Sequence, residues 1–253
     1  MGKMGGSRHL KALAAPSFWP ILRKEKKWAV KPSPGPHSLD RCIPLLILVR
    51  DVLKYAKTSG EARKLISEGN FKVDGVVRRS YKFPVGVMDL VEIPKTAETY
   101  RVIPVLTKVL GLVKIPSEEA GIKPCRIENK TTIKGGHIQL NLHDGRNILV
   151  KVSDPRNPVE DSYETMGTIL LSLKDKKILD YIPAQLGVLA VVIGGKNVGR
   201  VGKIVEITAG ALKRRRHTVT LEDKYGNKFQ TSIEYLFPIG RESPLIKLPE
   251  GAW

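Results

Sequence analysis

The residues of this chain whose types and spacing best suit phosphate chemistry lie in Gly194-Gly195-Lys196-Asn197-Val198-Gly199-Arg200-Val201-Gly202-Lys203-Ile204. A nucleotide-gripping P-loop ending at Gly202-Lys203 would need glycine where Asn197 stands and Ser or Thr where Ile204 stands, so that pattern fails twice. No dinucleotide-type glycine triplet feeds a helix either, because Val201, Ile204, Val205 and Ile207 read on as a strand. His143-Asp144 is the pair best suited to proton transfer. A hairpin turn accounts for both residues, and no nucleophile with a triad-like setting stands nearby. His9, His37, His137, His143 and His217 lack paired metal-ligand spacing. Cys42 and Cys125 are 83 positions apart with no CxxC pattern, which excludes a cysteine-based zinc site and a disulfide scaffold and implies a reducing compartment. No catalytic residue, metal, cofactor or small-molecule substrate is expected.

What remains is the chemistry of cations. The 253 residues hold 43 Lys and Arg against 25 Asp and Glu, a net charge of +18, while 42% hydrophobic residues are enough for folded cores. Such an excess repels itself unless a polyanion relieves it, and nucleic acid, which releases condensed counterions on binding, is the expected partner. A membrane surface would require an amphipathic anchor or a lipidation motif, and neither is found. The longest apolar run, Ile43 to Val49, is far short of the roughly 20 residues that span a bilayer. Lys3, Arg8 and Lys11 precede Ala12-Leu13-Ala14, but no apolar stretch comes before that triplet and Pro16 and Pro20 interrupt the residues after it, so a signal peptide is rejected. A cytoplasmic protein is expected.

Four kinds of element must carry these cations. Met1 to Lys31 holds Lys3, Arg8, Lys11, Arg23, Lys24, Lys26, Lys27 and Lys31 against Glu25 alone, and Pro16, Pro20, Pro32, Pro34 and Pro36 rule out continuous helix. An extended strap is predicted, with Phe18, Trp19 and Trp28 either stacking on bases or tucked against the protein's own surface. Leu46, Val49, Leu53 and Ala56 form the apolar stripe of a first helix, with Arg50, Lys54 and Lys57 beside it. Ser59 is the expected N-cap of a second helix with Glu61 in its first turn; Ala62, Leu65 and Ile66 face inward, Arg63 and Lys64 outward, and Gly69 ends it. Lys72 then leads through an Asp74-Gly75 turn to Arg78 and Arg79, the pattern of a tight hairpin, with Lys82 just beyond.

From Tyr100 to Ile182 short apolar runs alternate with turns: Ile138 to Leu142, Asp144-Gly145, Ile148 to Val150, Thr168 to Leu173, Ile178 to Ile182. This predicts antiparallel strands in a small barrel or folded sheet. Val188 to Ile193 is a continuous apolar strand ahead of the glycine segment, and Thr218 to Leu221 and Phe229 to Ile233 flank the Tyr225-Gly226-Asn227 turn. Glycine in a loop between strands lets backbone approach phosphate, with Lys196, Asn197, Arg200 and Lys203 beside it and Lys213, Arg214, Arg215 and Arg216 in the next loop.

Arg50 through SGEARKLISEGNFKVDG to FPVGVMDLVEI resembles the small RNA-binding domain called S-four, or the alpha-L motif. Glu61-Ala62-Arg63-Lys64-Leu65-Ile66 matches its second helix, and Pro84, Gly86 and Asp89 match its close; Asp74 stands where that pattern usually has asparagine. The glycine segment resembles the KOW motif of SH3-like barrels. With His9-Leu10-Lys11, Ala14-Ala15-Pro16 and Pro32-Ser33-Pro34-Gly35-Pro36-His37, the order of segments resembles the archaeal and eukaryotic form of small-subunit ribosomal protein four, the S-four-e family, across nearly the whole chain. The end at Trp253, without the long basic tail of eukaryotic members, points to the archaeal form.

The resemblance implies a predominantly β, α+β chain of several domains: a basic strap (1–42), an S-four-type RNA-binding domain (43–99), a central β domain (100–182), a KOW SH3-like barrel (183–241) and a tail (242–253). It implies a structural constituent of the small subunit, with small-subunit ribosomal RNA and neighbouring ribosomal proteins as partners and the cations above other than Lys31, with Ser59 and Asn197, as the RNA-binding residues. Two rivals stand beside it. A pseudouridine synthase would need a catalytic aspartate, for which Leu39-Asp40-Arg41 is too isolated, and a KOW-type transcription or translation factor would not explain strap plus S-four.

Overall fold

The computed structural model describes residues 7–106, 108–116, 118–154, 159–208 and 217–249. The strap is folded back on itself. β1 (Leu10–Lys11) pairs antiparallel with β2 (Trp28–Ala29), and the Arg23 guanidinium closes the loop between them by donating to the carbonyls of Ala15 at 2.9 Å, Pro16 at 2.5 Å and Ala12 at 3.3 Å. Trp19 is buried and its indole N–H donates to the Cys42 carbonyl at 2.8 Å, which roots the strap in the next module.

β3 (Cys42–Pro44) leads into α1 (Leu45–Ile47) and a π turn (Leu48–Val52). The expected first helix is therefore shorter than predicted. Residues from Leu45 to Val49 are all buried, so the segment has no solvent face, and Lys54 at φ 58° turns the chain out of the helix before Ala56. Lys54 and Lys57 consequently stand after the helix rather than along it. α2 (Ser59–Ser67) is capped by Thr58, one residue before the predicted cap: Thr58 Oγ1 accepts from Glu61 N at 3.2 Å and Glu61 Oε2 accepts from Thr58 N at 3.2 Å, a reciprocal capping box. Ala62 and Ile66 face the core, and Gly69 at φ 84° lets the chain leave.

β4 (Lys72–Val73) and β5 (Val76–Val77) form the predicted hairpin, with Asp74 and Gly75 both at positive φ. After β6 (Pro84–Gly86), which pairs with β3, β7 (Leu90–Ile93), β8 (Glu98–Val105) and β9 (Lys108–Lys114) extend the hairpin into a sheet of order β5-β4-β7-β8-β9. The sheet thus runs across the division at 99/100.

β10 (Ile122–Thr132) pairs through its first half with β13 (Thr168–Ser172) and through its second with β11 (Ile138–Leu142). β12 (Asn147–Val150) and β14 (Ile178–Ile182) complete the order β12-β11-β10-β13-β14. The alternating Ile138, Leu140 and Leu142 meet Cys125, Ile127, Ile169 and Leu171 in a core of their own.

The last sheet has the order β18-β17-β16-β15-β19, from β15 (Leu189–Val192), β16 (Val201–Thr208), β17 (Thr218–Glu222), β18 (Lys228–Ser232) and β19 (Leu236–Gly240). Successive residues of a strand point to opposite faces, and in β15 both faces are buried. Ala190 and Val192 join Ile204, Val219 and Leu221, whereas Leu189 and Val191 join Phe237, Ile239 and the core that also holds Leu10, Trp19, Leu46 and Ile66. That is why the sequence there is apolar without alternation.

Candidate nucleic-acid interface

Strap and α2 enclose a groove of about 510 Å³. Arg8, Lys26 and Lys31 line it from the strap, and Arg50, Lys57, Arg63 and Lys82 from the second module, against the carboxylates of Glu25 and Asp51. Arg50 is held in place by a two-pronged pairing with Asp51 at 2.7 and 2.9 Å and donates to Ser59 Oγ at 2.7 Å. The Arg63 guanidinium lies 4.6 Å from the centre of the Tyr81 ring, and Lys82 Nζ lies 5.5 Å from it. On the strap side Trp28 is 53% exposed, with Lys27 Nζ 5.5 Å and the His9 ring 5.4 Å from its ring. Cations beside a bare aromatic face are the components with which proteins hold unpaired nucleic acid.

The remaining candidates lie elsewhere. Lys11, Lys24, Lys27, Lys54, Lys64 and Arg79 are exposed outside the groove's lining, and Lys72 is half-buried on β4. Arg78 stacks 4.3 Å from the Phe83 ring centre. Arg23 is occupied by backbone carbonyls, which makes it a structural residue rather than a free phosphate ligand. Lys3, Lys213, Arg214, Arg215 and Arg216 lie outside the described residues. Lys31 and Tyr81 line the groove without having been among the expected site residues; Tyr81 was signalled only by its place beside Lys82.

The glycine segment is a separate basic surface. Lys196, Arg200 and Lys203 are exposed, with Arg200 5.0 Å from the Phe229 ring centre, and Asn197 Nδ2 donates to the Gln230 carbonyl at 2.9 Å. Gly199 does not open the backbone to phosphate. It is buried, and a Cβ there would fall 2.3 Å from the Val105 carbonyl carbon, so glycine at that position seats the loop on the turn between β8 and β9.

The His143-Asp144 pair belongs to a buried ion cluster. Lys123 Nζ lies 2.7 Å from Asp74, 2.7 Å from Asp89 and 3.0 Å from Asp144, while Arg146 reaches Asp74 at 2.8 Å and Asp144 at 3.2 Å. His37 Nε2 adds a contact to Asp89 at 3.0 Å, and its ring occupies the space where a Cβ of Gly86 would stand. Burial works against the Asp144 charge, but Lys123 and His143 outweigh it and hold the carboxyl below its usual range. His143 Nδ1 accepts from Arg126 N at 3.1 Å and Nε2 faces the Val87 carbonyl at 3.1 Å; burial, then Lys123, push its pKa down to about 4. A neutral imidazole with both nitrogens engaged, beside a carboxylate already paired with Lys123, has no free site for proton transfer. Both cysteines are free and buried, and burial lifts Cys42 to about 12, far from a reactive thiolate. Among the described residues no group of three or more His, Cys, Asp or Glu is placed to hold a metal ion, and the three carboxylates of the cluster are held by Lys123.

Family models match along this chain in the order of its elements: the RS4NT domain over residues 4–40, the S4 domain over 44–91 and Ribosomal family S4e over 96–178. The small ribosomal subunit protein eS4 of Staphylothermus marinus is 69% identical over the full length of both chains, and that of Desulfurococcus amylolyticus 68%. The crystal structure of the 30S ribosomal protein S4e from Thermoplasma acidophilum superposes with a TM-score of 0.65 at 32% identity, covering 79% of this chain and 96% of that one. With a β-rich fold, an S4 domain and relatives alike from end to end, the chain belongs to the ribosomal S4e family.

Proposed function

We propose that this protein is a structural constituent of the small ribosomal subunit in the cytoplasm, where it binds small-subunit ribosomal RNA and touches neighbouring ribosomal proteins. The observation that carries the reading is the groove between strap and α2, where seven cations face two carboxylates beside an exposed tryptophan. Lys11, Lys24, Lys27, Lys54, Lys64, Lys72, Arg78 and Arg79 add contacts outside the groove, and Lys196, Arg200 and Lys203 form a further contact on the last sheet. Segments 1–42, 43–99, 100–182, 183–241 and 242–253 serve as strap, RNA-binding domain, central domain, barrel and tail. A modifying enzyme or a transcription factor finds no support in the relatives named above.

Binding of the full chain to small-subunit ribosomal RNA, and then sedimentation with small subunits, tests this function. Affinity that falls linearly on a log-log salt plot, together with recovery in the small-subunit fraction, is expected. Indifference to structured RNA at moderate ionic strength would overturn it.

A further inference from the structure

The structure points to a specific occupant of the strap groove. We propose that it takes one unpaired nucleotide of RNA, the base stacked on Trp28 and the flanking phosphates held by Lys57, Arg63 and Lys82. This rests on reading the groove as an RNA interface and goes beyond it by naming the unit bound.

Size comes first. A volume of about 510 Å³ falls within the roughly 300 to 1,000 Å³ typical of sites that enclose a small molecule, a range suited to a nucleotide and not to a length of duplex. The ring comes next. Tyr81, the other aromatic of the groove, is partly buried with Arg63 stacked 4.6 Å from its ring centre, whereas Trp28, with Lys27 and His9 5.5 and 5.4 Å from its ring, is still 53% exposed, in contrast with Trp19 at 3%. Trp28 is also held in position, because its backbone pairs with Lys11 in β1. A large apolar ring left half in water on an ordered hairpin is a stacking platform, and every base has a π-face to offer it. Charge completes the case: Arg50 and Asp51 neutralise each other, and Arg8, Lys26, Lys31, Lys57, Arg63 and Lys82 remain against Glu25, so the groove is positive where phosphates on either side of an extruded base would pass. Sequence-tolerant capture of a bulged base is the outcome of this chemistry.

The test uses the full chain and two RNA hairpins identical except that one carries a single bulged 2-aminopurine in its stem. The bulged hairpin is expected to bind about tenfold more tightly, with its fluorescence quenched on binding. Trp28→Ala should abolish both the preference and the quenching, and Trp28→Phe should retain them, with the salt slope unchanged in each. Equal affinity of the wild type for the two hairpins, or an undiminished preference in Trp28→Ala, overturns the proposal; should the alanine variant fail to fold, the wild-type comparison still decides. Salt-dependent binding without bulge preference sinks the nucleotide alone. Absence of salt-dependent binding to either hairpin removes the interface as well.

Discussion

The ammonium of Lys123 lies 2.7 Å from the carboxylate of Asp74, joining the first half of β10 to the tip of a hairpin 49 positions earlier. Both side chains are almost wholly withdrawn from water, and Asp89 and Asp144 crowd the same ammonium. Burial works against the Lys123 charge, yet Asp89 and Asp74 hold its pKa well above the ordinary lysine value.

Replacement of Lys123 by Met should therefore leave three buried carboxylates short of their central counter-ion. A loss of about 3 to 5 kcal/mol is expected, seen as a fall of roughly 10 °C in a calorimetric melt, since about 2 to 4 °C accompany each kcal/mol at this chain length. A melt within 2 °C or so of wild type would show that the cluster does not hold the modules together.

Acid should destabilise the fold before its carboxylates titrate. His143 has a folded pKa of about 4 against 6.5 when free, so the unfolded chain binds more protons between those values and stability falls as pH drops through that window. The loss is at most about 3 kcal/mol, at 1.36 kcal/mol per unit. Urea titrations at pH 7.5, 6, 5 and 4 read it, and His143→Gln should flatten the dependence between pH 6.5 and 4.

Arg63→Ala together with Lys64→Ala should weaken RNA binding and leave the chain folded, because both side chains are exposed on α2 and the lost stack of Arg63 on Tyr81 costs only about 0.5 to 1 kcal/mol. Each lost phosphate contact lowers the log-log salt slope by roughly 0.7 to 0.9. A slope equal to wild type across a salt series in filter binding would remove this face of α2 from the site.

Gly199→Ala places a methyl group 2.3 Å from the Val105 backbone at a position with φ 80°. Left-handed strain alone costs about 1 to 3 kcal/mol, and the clash adds to it. Chemical denaturation should detect the combined loss; a neutral substitution would mean that the loop is not seated on the turn between β8 and β9.

The parts of this fold visible in the sequence were those in which neighbours along the chain settle the outcome. Ile138 to Leu142 alternates inward and outward, Asp144-Gly145 supplies the turn, and the strands fall where that pattern places them. The stripe Leu46, Val49, Leu53 and Ala56 misled because burial on every side removes the polar face by which a helix is delimited. Ser59 was a plausible cap, but Thr58 stands three residues before Glu61, which is the spacing a capping box needs. The ion cluster was beyond reach: Lys123, Asp74, Asp89 and His37 come from distant segments, and Asp74 in the place of an asparagine was the one visible departure. The strap-closing bonds of Arg23 are equally illegible, because a cation in a basic tract carries no mark of the carbonyls that engage it.

β15 and β19 complete a core whose other walls include Leu10 and Trp19. During synthesis the amino-terminal strap therefore emerges roughly 230 residues before Phe237 completes the core they share, an interval of about 10 to 45 s at 5 to 20 residues per second. Throughout that time the core to which Leu10 and Trp19 belong lacks Phe237 and Ile239. The nascent chain thus presents its strongly basic end to the cell long before that core can close, and any early partner meets an unfinished molecule.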